Sequence, residues 1–365
     1  MKKLLLLLGT LLYLSVPSLG QTKPAQLDSL FTELYRQGSF NGNVLVAENG
    51  VPIFEKSYGK ADEQSGRPLH AESVFELASL SKAFTAMGIV LLQQQGKLRY
   101  DDPIAKYLPE LAGYEKITIR HLLHHTSGLP DYTDYFIEHW DKSKFATNPD
   151  LINAFGHVRP PVLFQPNERF SYSNTNYAFL GTILERVSHQ SYADFLAQSI
   201  FKPLGMKRSL VYQSRYKPQK VENYALGHLV DSTGHKVQPD AYGKTFFTYF
   251  LDGITGDRTV NSSVRDLLLW DQALYSDRLI NDQEKDEVFS GVTLLNGQTT
   301  DYGFGWMLKQ DPTYGKLVSH SGSWAGYIHY IDRHIDSKKT IIILQNMDNF
   351  NNRVAMDRVR KILYP

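Results

Sequence analysis

The chain of 365 residues contains no cysteine. That absence excludes disulfides, thiol nucleophiles, thiolate metal sites and iron–sulfur clusters. It also excludes lipid attachment through a cysteine. Neither sign of charge is in excess, with 39 Lys and Arg against 38 Asp and Glu. No strong pull toward nucleic acid or an anionic membrane follows. Past the first twenty residues no apolar run is long enough to span a bilayer; Ile341-Ile342-Ile343-Leu344 reads as a buried strand. The sequence lacks a G-x-S-x-G nucleophile elbow, an H-E-x-x-H zinc motif and a glycine-rich phosphate loop.

What is present is ordinary for a globular enzyme: 42% hydrophobic and 21% charged residues. Met1-Lys2-Lys3 followed by a leucine-rich run has the form of a secretory signal peptide, residues 1–20, with Ser18-Leu19-Gly20 at the cleavage positions. Cleavage there predicts an exported protein, periplasmic or secreted, beginning at Gln21. Removal of Lys2 and Lys3 takes the net charge from +1 to −1. An uncleaved N-terminal anchor is the alternative, although the apolar stretch is short for a span.

Along the chain, Asn43–Ala47 and Val51–Phe54 flank Glu48-Asn49-Gly50, where Asn-Gly predicts a hairpin. An amphipathic helix follows from Ser79, with Leu80, Phe84, Met87 and Leu91 on one face and Gly96 as its stop. Thr118 caps a short helix through His125, and further helices are expected over 176–190 and 263–275. Strands return at 303–308, 316–320, 327–331 and 340–344, spaced as an antiparallel meander, before a closing helix over 353–364. The expected organisation is a sheet unit, residues 21–100 plus 291–365, around a mostly helical unit, 101–290, with a catalytic cleft between them.

Ser79-Leu80-Ser81-Lys82 is the most informative segment. A serine hydroxyl is a weak nucleophile without a base beside it, and a lysine three positions on shares its helix face. S-x-x-K occurs four times, starting at Ser57, Ser79, Ser199 and Ser214, but only Ser79 opens helical periodicity. At a helix N-terminus the Ser79 N–H is also free to hold an oxyanion. Tyr172-Ser173-Asn174 is the only Y-x-N. A phenol held near an ammonium ionises more readily, so Tyr172 is a candidate to take the serine proton. Asn174 offers an amide to a substrate carbonyl and to Lys82. His320-Ser321-Gly322 is the only [HK]-[ST]-G. Its glycine permits close backbone approach, the Ser323 N–H is a second oxyanion donor, and His320 is placed to hold a substrate carboxylate or relay a proton. Each motif has a plain structural alternative: a helix cap, a turn tyrosine, an edge-strand histidine.

The three motifs in this order, 93 and 148 residues apart, resemble the serine hydrolases of the class C β-lactamase and DD-peptidase superfamily. Phe75–Lys82, Asp101–Glu110, Ile117–Pro130 and Tyr302–Trp306 are also similar to that superfamily. The resemblance implies an α+β fold of the β-lactamase/transpeptidase type: an antiparallel sheet flanked by helices, with a mostly helical inserted domain. It implies catalysis by Ser79, Lys82 and Tyr172, an oxyanion hole from the N–H groups of Ser79 and Ser323, and substrate contacts from Asn174, His320, Ser321 and Gly322. It implies no metal or organic cofactor. The substrate is then an ester, an amide or a D-amino-acid peptide.

Two departures matter. His320 stands where class C β-lactamases usually carry lysine, as in esterases, D-amino-acid peptidases and some DD-carboxypeptidases. Gly256-Asp257-Arg258-Thr259-Val260 replaces a glycine pair common in the family. β-Lactamase or D-alanyl-D-alanine carboxypeptidase activity is the alternative, and a non-hydrolysing binder of penicillin or peptidoglycan fragments is the competing class. His121, His124 and His125 have helical spacing that could suggest a metal, and Tyr242, Phe246, Phe247, Tyr249 and Phe250 either line an apolar pocket or pack the core.

Overall fold

The computed structural model describes residues 21–348, 354 and 356–364. The signal-peptide reading of residues 1–20 lies outside them. Helix α1, Lys23–Arg36, precedes strand β1, Gly42–Glu48, and strand β2, Val51–Tyr58. Between these strands Asn49 and Gly50 both take positive φ, 51° and 77°. That is the backbone a two-residue hairpin turn of the primed type requires. The sequence reading placed this hairpin but did not foresee α1.

The four later strands are β3, Met307–Asp311, β4, Gly315–Trp324, β5, Tyr327–His334, and β6, Lys339–Gln345. All pair antiparallel in the order β2-β1-β6-β5-β4-β3. The sheet is thus closed at its centre by strands from the two ends of the chain, with Leu45 opposite Ile342 and Val44 opposite Ile343. Alternate residues face opposite sides. Leu45, Ala47, Val318, Ile331, Ile342 and Leu344 join the large core. Val44, Val46, Ile341 and Ile343 face a smaller one, roofed by Leu27, Leu30 and Phe31 of α1 and by Val359 and Leu363 of the closing helix, Met356–Leu363. With both faces covered, β1 reads as a continuous apolar run rather than an alternating one.

The predicted strand over 303–308 begins only at Met307. Gly303–Trp306 is instead a tight turn, closed by the Gly303 N–H on the Trp306 carbonyl at 2.8 Å. Gly305 needs its positive φ of 78° here, and a Cβ on it would lie 2.8 Å from the Ala83 Cα. The helix expected through His125 ends at Leu123, because His125 turns left-handed at φ 55°.

Helix α2, Ser81–Gln94, is the spine of the large core. It is not amphipathic as expected: residues 81–92 are all buried. Phe84 of the stripe read from the sequence packs on both Phe201 and Trp270, and the small residues Ala83, Ala86 and Gly88 are buried on the same helix. A Cβ on Gly88 would meet Leu184 of helix α3, Asn174–Ser188. Helix α4, Val264–Ala273, starts at Ser263, whose side chain accepts from the Asp266 N–H. Two short three-stranded sheets were not foreseen. One pairs Phe75–Glu76 with Val260–Ser262, and Val260–Ser262 with Leu210–Val211. It carries the chain into Ser79 and ties that approach to residues almost two hundred positions later. No helix among the described residues is long and apolar enough to cross a membrane.

Candidate active site

Ser79 sits in a 3-10 turn, Ala78–Leu80, that runs directly into α2. Its side chain is half-buried, while Lys82 one turn on is fully buried. Ala78 takes φ 50°, a left-handed conformation that costs energy for a residue with a Cβ. This bend, just before the serine, aims the turn at β4. Strand β4 comes so close that a Cβ on Gly322 would lie 2.3 Å from the Leu77 carbonyl. Glycine at that position lets the sheet edge and the serine turn meet. The neighbouring strand β3 pairs with β4 only as far as Ser319, so the outer edge of β4 beyond it faces the site. Ser321 and Ser323 are exposed there.

The Lys82 ammonium position is fixed by three acceptors. Its Nζ lies 3.1 Å from Ser79 Oγ, 2.8 Å from Asn174 Oδ1 and 3.0 Å from the Asp257 carbonyl. The Asn174 amide is held in that orientation from behind. Its Nδ2 donates to Asp131 Oδ2 at 3.0 Å and its backbone N–H to the same oxygen at 2.7 Å. Asp131 is itself the cap of the Tyr132–His139 helix. The sequence reading named Asn174 but missed Asp131 and Asp257; the capping signal of an aspartate before a helix was the available clue to the first.

Tyr172 stands beside this group but makes no hydrogen bond to Ser79 or Lys82. Lys82 Nζ lies 5.0 Å from its ring centroid, a cation–π contact. The ring rests on His125, centroids 4.2 Å apart. His125 is locked as an acceptor through Nδ1, which receives the Ser173 N–H at 3.2 Å and Asn176 Nδ2 at 3.0 Å. Burial and the nearby Lys82 hold its pKa well below the usual imidazole value. The His121 ring caps its own helix at Thr118, and His124 Nδ1 donates to the Tyr302 carbonyl at 2.8 Å. The three histidines that suggested a metal therefore point to three separate structural partners. No metal-ligating cluster forms among the described residues.

His320 is the residue expected to hold a substrate carboxylate or relay a proton. It is buried, and both ring nitrogens are engaged: Nδ1 donates to the Ser321 carbonyl at 2.6 Å, and Nε2 accepts from the Tyr302 hydroxyl at 3.0 Å. Burial, then the charge of Lys82, pushes its pKa down to about 4. With that pKa it is uncharged at neutral pH. His329 of β5 plays a matching part. Its Nε2 donates to the Glu76 carbonyl at 2.6 Å, its Nδ1 accepts from the Gln345 N–H at 3.2 Å, and burial pushes its pKa down to about 4.

Behind Ser79, Arg258 is buried with NH1 3.2 Å from Glu76 Oε1 and its guanidinium 4.5 Å above the Trp324 ring. Phe247 of the aromatic run packs edge-on against Trp324 at 4.9 Å, and Phe250 is core, so these two residues of the run pack the interior. Asp257 is buried with Oδ2 accepting from the Tyr132 hydroxyl at 3.0 Å. Burial raises its carboxyl pKa, opposed by Lys82 and Arg258. The loop that bears it passes through Thr259 at φ 80°, an outlier for a β-branched residue. The strain is sustained because the Leu77 N–H bonds the Val260 carbonyl at 2.8 Å and the Val260 N–H bonds Ser81 Oγ at 3.1 Å.

Relief of that strain predicts that Thr259→Gly raises stability by about 1 kcal/mol, read as a higher urea midpoint with unchanged slope. The buried imidazoles give a pH dependence of definite sign. An unfolded histidine takes its proton near 6.5, whereas folded His329 does so only near 4. Between those values the unfolded state binds more protons, so stability falls as pH falls from 6.5 to 4, by up to about 3 kcal/mol for His329. The buried carboxyls of Glu76 and Asp257, with raised pKa, act in the opposite direction. His329→Gln is therefore expected to lose less stability than wild type on acidification, measured as urea midpoints at pH 7 and 4.5.

The chain is similar to several known proteins. A family model described as Beta-lactamase matches residues 27–364. Penicillin-binding protein 4* of Bacillus subtilis (strain 168) is 46% identical over 329 residues, covering 90% of this chain and 73% of its own length. Among solved structures, the octameric penicillin-binding protein homologue from Pyrococcus abyssi aligns with TM-score 0.74 at 29% identity, over 88% of this chain and 73% of that one. The D-amino acid amidase from Ochrobactrum anthropi SV3 aligns with TM-score 0.76 at 24% identity, over 93% and 97%, a likeness of fold. The model's span and the identity to the Bacillus protein show that the chain belongs to the Beta-lactamase family of serine hydrolases.

Proposed function

We propose that Ser79 is the nucleophile of an acyl-transfer hydrolase whose preferred substrates are neutral or cationic esters and amides, including amides of D-amino acids. The observation that carries the reading is the half-exposed Ser79 Oγ 3.1 Å from the buried Lys82 Nζ. Oγ attacks the carbonyl carbon, and its proton passes to the Lys82–Tyr172 pair, which acts as one coupled base. The Ser79 and Ser323 N–H groups face the developing oxyanion from the turn and from the β4 edge. The proton returns to the leaving alcohol or amine as the tetrahedral intermediate collapses to an acyl-enzyme. Water, deprotonated with Tyr172 as base, then releases the acid. Asn174 orients Lys82, and Ser321 and Gly322 line the substrate's path along β4. No cofactor is needed in this scheme.

Neutral His320, occupied at both nitrogens, supports the substrate class. β-Lactams and the D-alanyl-D-alanine end of peptidoglycan both carry a carboxylate, and the HSG motif offers no cation for it. β-Lactamase or carboxypeptidase activity is the alternative that a cation supplied elsewhere in the cleft would restore. The cleft in this reading lies between a sheet unit, residues 21–100 and 291–365, and a helical unit, 101–290. Export through the leader at residues 1–20, to the periplasm or beyond, places the enzyme among such substrates. N-terminal sequencing of protein recovered after export tests that placement.

Two measurements decide the reading. Wild type is expected to turn over a chromogenic ester and to be labelled by a fluorophosphonate, with both lost in Ser79→Ala and turnover reduced on the order of 10⁴–10⁶-fold. Labelling without turnover would identify a non-hydrolysing binder instead. In a substrate panel, D-phenylalanine amide and p-nitrophenyl esters should exceed nitrocefin and a D-alanyl-D-alanine peptide in kcat/KM by more than about tenfold. The reverse order overturns the role given to His320, since one lost charged contact is worth about that factor.

A further inference from the structure

Lys82 takes two of its three acceptors from distant segments, the Asn174 side chain and the Asp257 carbonyl. One dipeptide, Asp131-Tyr132, reaches both of them from behind. It opens the Tyr132–His139 helix, with Asp131 as the cap. The segment itself is pinned to the start of α3. The Tyr132 N–H donates to Thr175 Oγ1 at 2.8 Å, and Thr175 Oγ1 donates to the Pro130 carbonyl at 2.6 Å.

Asp131 reaches Asn174. Its Oδ1 accepts from the Thr133 N–H at 2.9 Å and from the Thr133 hydroxyl. Its Oδ2 accepts from the Asn174 N–H at 2.7 Å and from Asn174 Nδ2 at 3.0 Å. Thr133 Oγ1 lies 3.5 Å from the same Nδ2. An ionised carboxylate only accepts, whereas an amide carries one accepting oxygen and one donating nitrogen. Asp131 therefore selects the orientation in which Asn174 turns its nitrogen away and its oxygen toward Lys82.

Tyr132 reaches Asp257. Its ring is fully buried, and its hydroxyl donates to Asp257 Oδ2 at 3.0 Å. Burial, then the charge of Asp257, keeps that phenol well above its ordinary pKa, so it is a protonated donor. The other carboxyl oxygen, Oδ1, has no partner among the described residues. A buried carboxyl so sparsely met depends on the donor it has. The residue held in this way is the one whose carbonyl meets Lys82.

We propose that Asp131 and Tyr132 are the positioning residues of the acyl-transfer step, each aiming one oxygen, the Asn174 amide or the Asp257 carbonyl, at the Lys82 amine. The inference rests on the reading of Ser79 as nucleophile with Lys82 in its base. In this arrangement Asn174 serves the lysine and not a substrate carbonyl. Loss of either positioning residue slows chemistry without weakening substrate binding. A role for Asp131 as helix cap alone predicts otherwise. Serine caps a helix about as well as aspartate, but its single oxygen cannot also accept from Asn174.

The test measures kcat and KM for a p-nitrophenyl ester, with urea midpoints as the check on folding. Asp131→Ser is expected to lower kcat at least about tenfold and Tyr132→Phe at least about threefold, each with KM within about twofold of wild type. Asp131→Ser added to Asn174→Ala should cost less than about twofold beyond Asn174→Ala alone, because both act through one amide. A crystal structure of Asp131→Ser reads the same device without turnover: Lys82 Nζ is expected beyond about 3.5 Å from the Asn174 side chain. Wild-type kcat in Asp131→Ser, a raised KM at unchanged kcat, additive losses in the double variant or an unmoved Lys82–Asn174 contact overturns the proposal. Wild-type kcat in Tyr132→Phe overturns the part given to Tyr132. Should Asp131→Ser fail to fold, Tyr132→Phe, which removes one buried oxygen, decides. An absence of turnover in wild type counts against Ser79 as nucleophile instead, and the crystal structure then decides the positioning.

Discussion

A buried amine held by three oxygens organises this molecule. Lys82 is fully enclosed, and an enclosed ammonium is tolerable only when its donors are met. The oxygens come from Ser79 on the same turn, Asn174 ninety-two positions later and Asp257 a further stretch away, 175 positions from the lysine. Each acceptor is backed by its own support: the cap Asp131 behind Asn174, the strained Thr259 loop behind Asp257, and the left-handed Ala78 behind Ser79. The strain at Thr259 and Ala78 is the cost of bringing backbone from separate segments to a single nitrogen.

The imidazoles form the second layer. His124 fixes the Tyr302 backbone, Tyr302 fixes His320, and His320 fixes the carbonyl of Ser321 at the substrate edge. His329 ties β5 to Glu76, three residues before the serine. Burial lowers the pKa of His124, His320 and His329 alike.

Much of this was legible in the sequence. The Asn-Gly turn, the meander and the three short motifs each carry a local signal, and the motifs carry the family resemblance that implies the α+β fold of the β-lactamase/transpeptidase type. What stayed hidden depends on long-range contact. The stripe Leu80, Phe84, Met87 and Leu91 predicted one buried face, but α2 is enclosed all round because helices and sheet converge on it. Residues 303–306 read as strand in the sequence yet fold as a turn, in which Gly305 takes a positive φ and lies too close to Ala83 for any side chain. Asp131 and Asp257 lack motif spacing and acquire their places only when the chain closes. The burial of His320 cannot be read from the triplet His-Ser-Gly alone.

The pairing of β1 with β6 has its own consequence for biogenesis. Residues 42–48 find their central partner only in residues 339–345, so the N-terminal hairpin leaves the ribosome with one long apolar edge unsatisfied. Such an edge invites intermolecular pairing until nearly the whole polypeptide is available. Contacts of that sequence separation also form slowly. A chain with this topology closes the centre of its sheet late, once residues 339–345 are available.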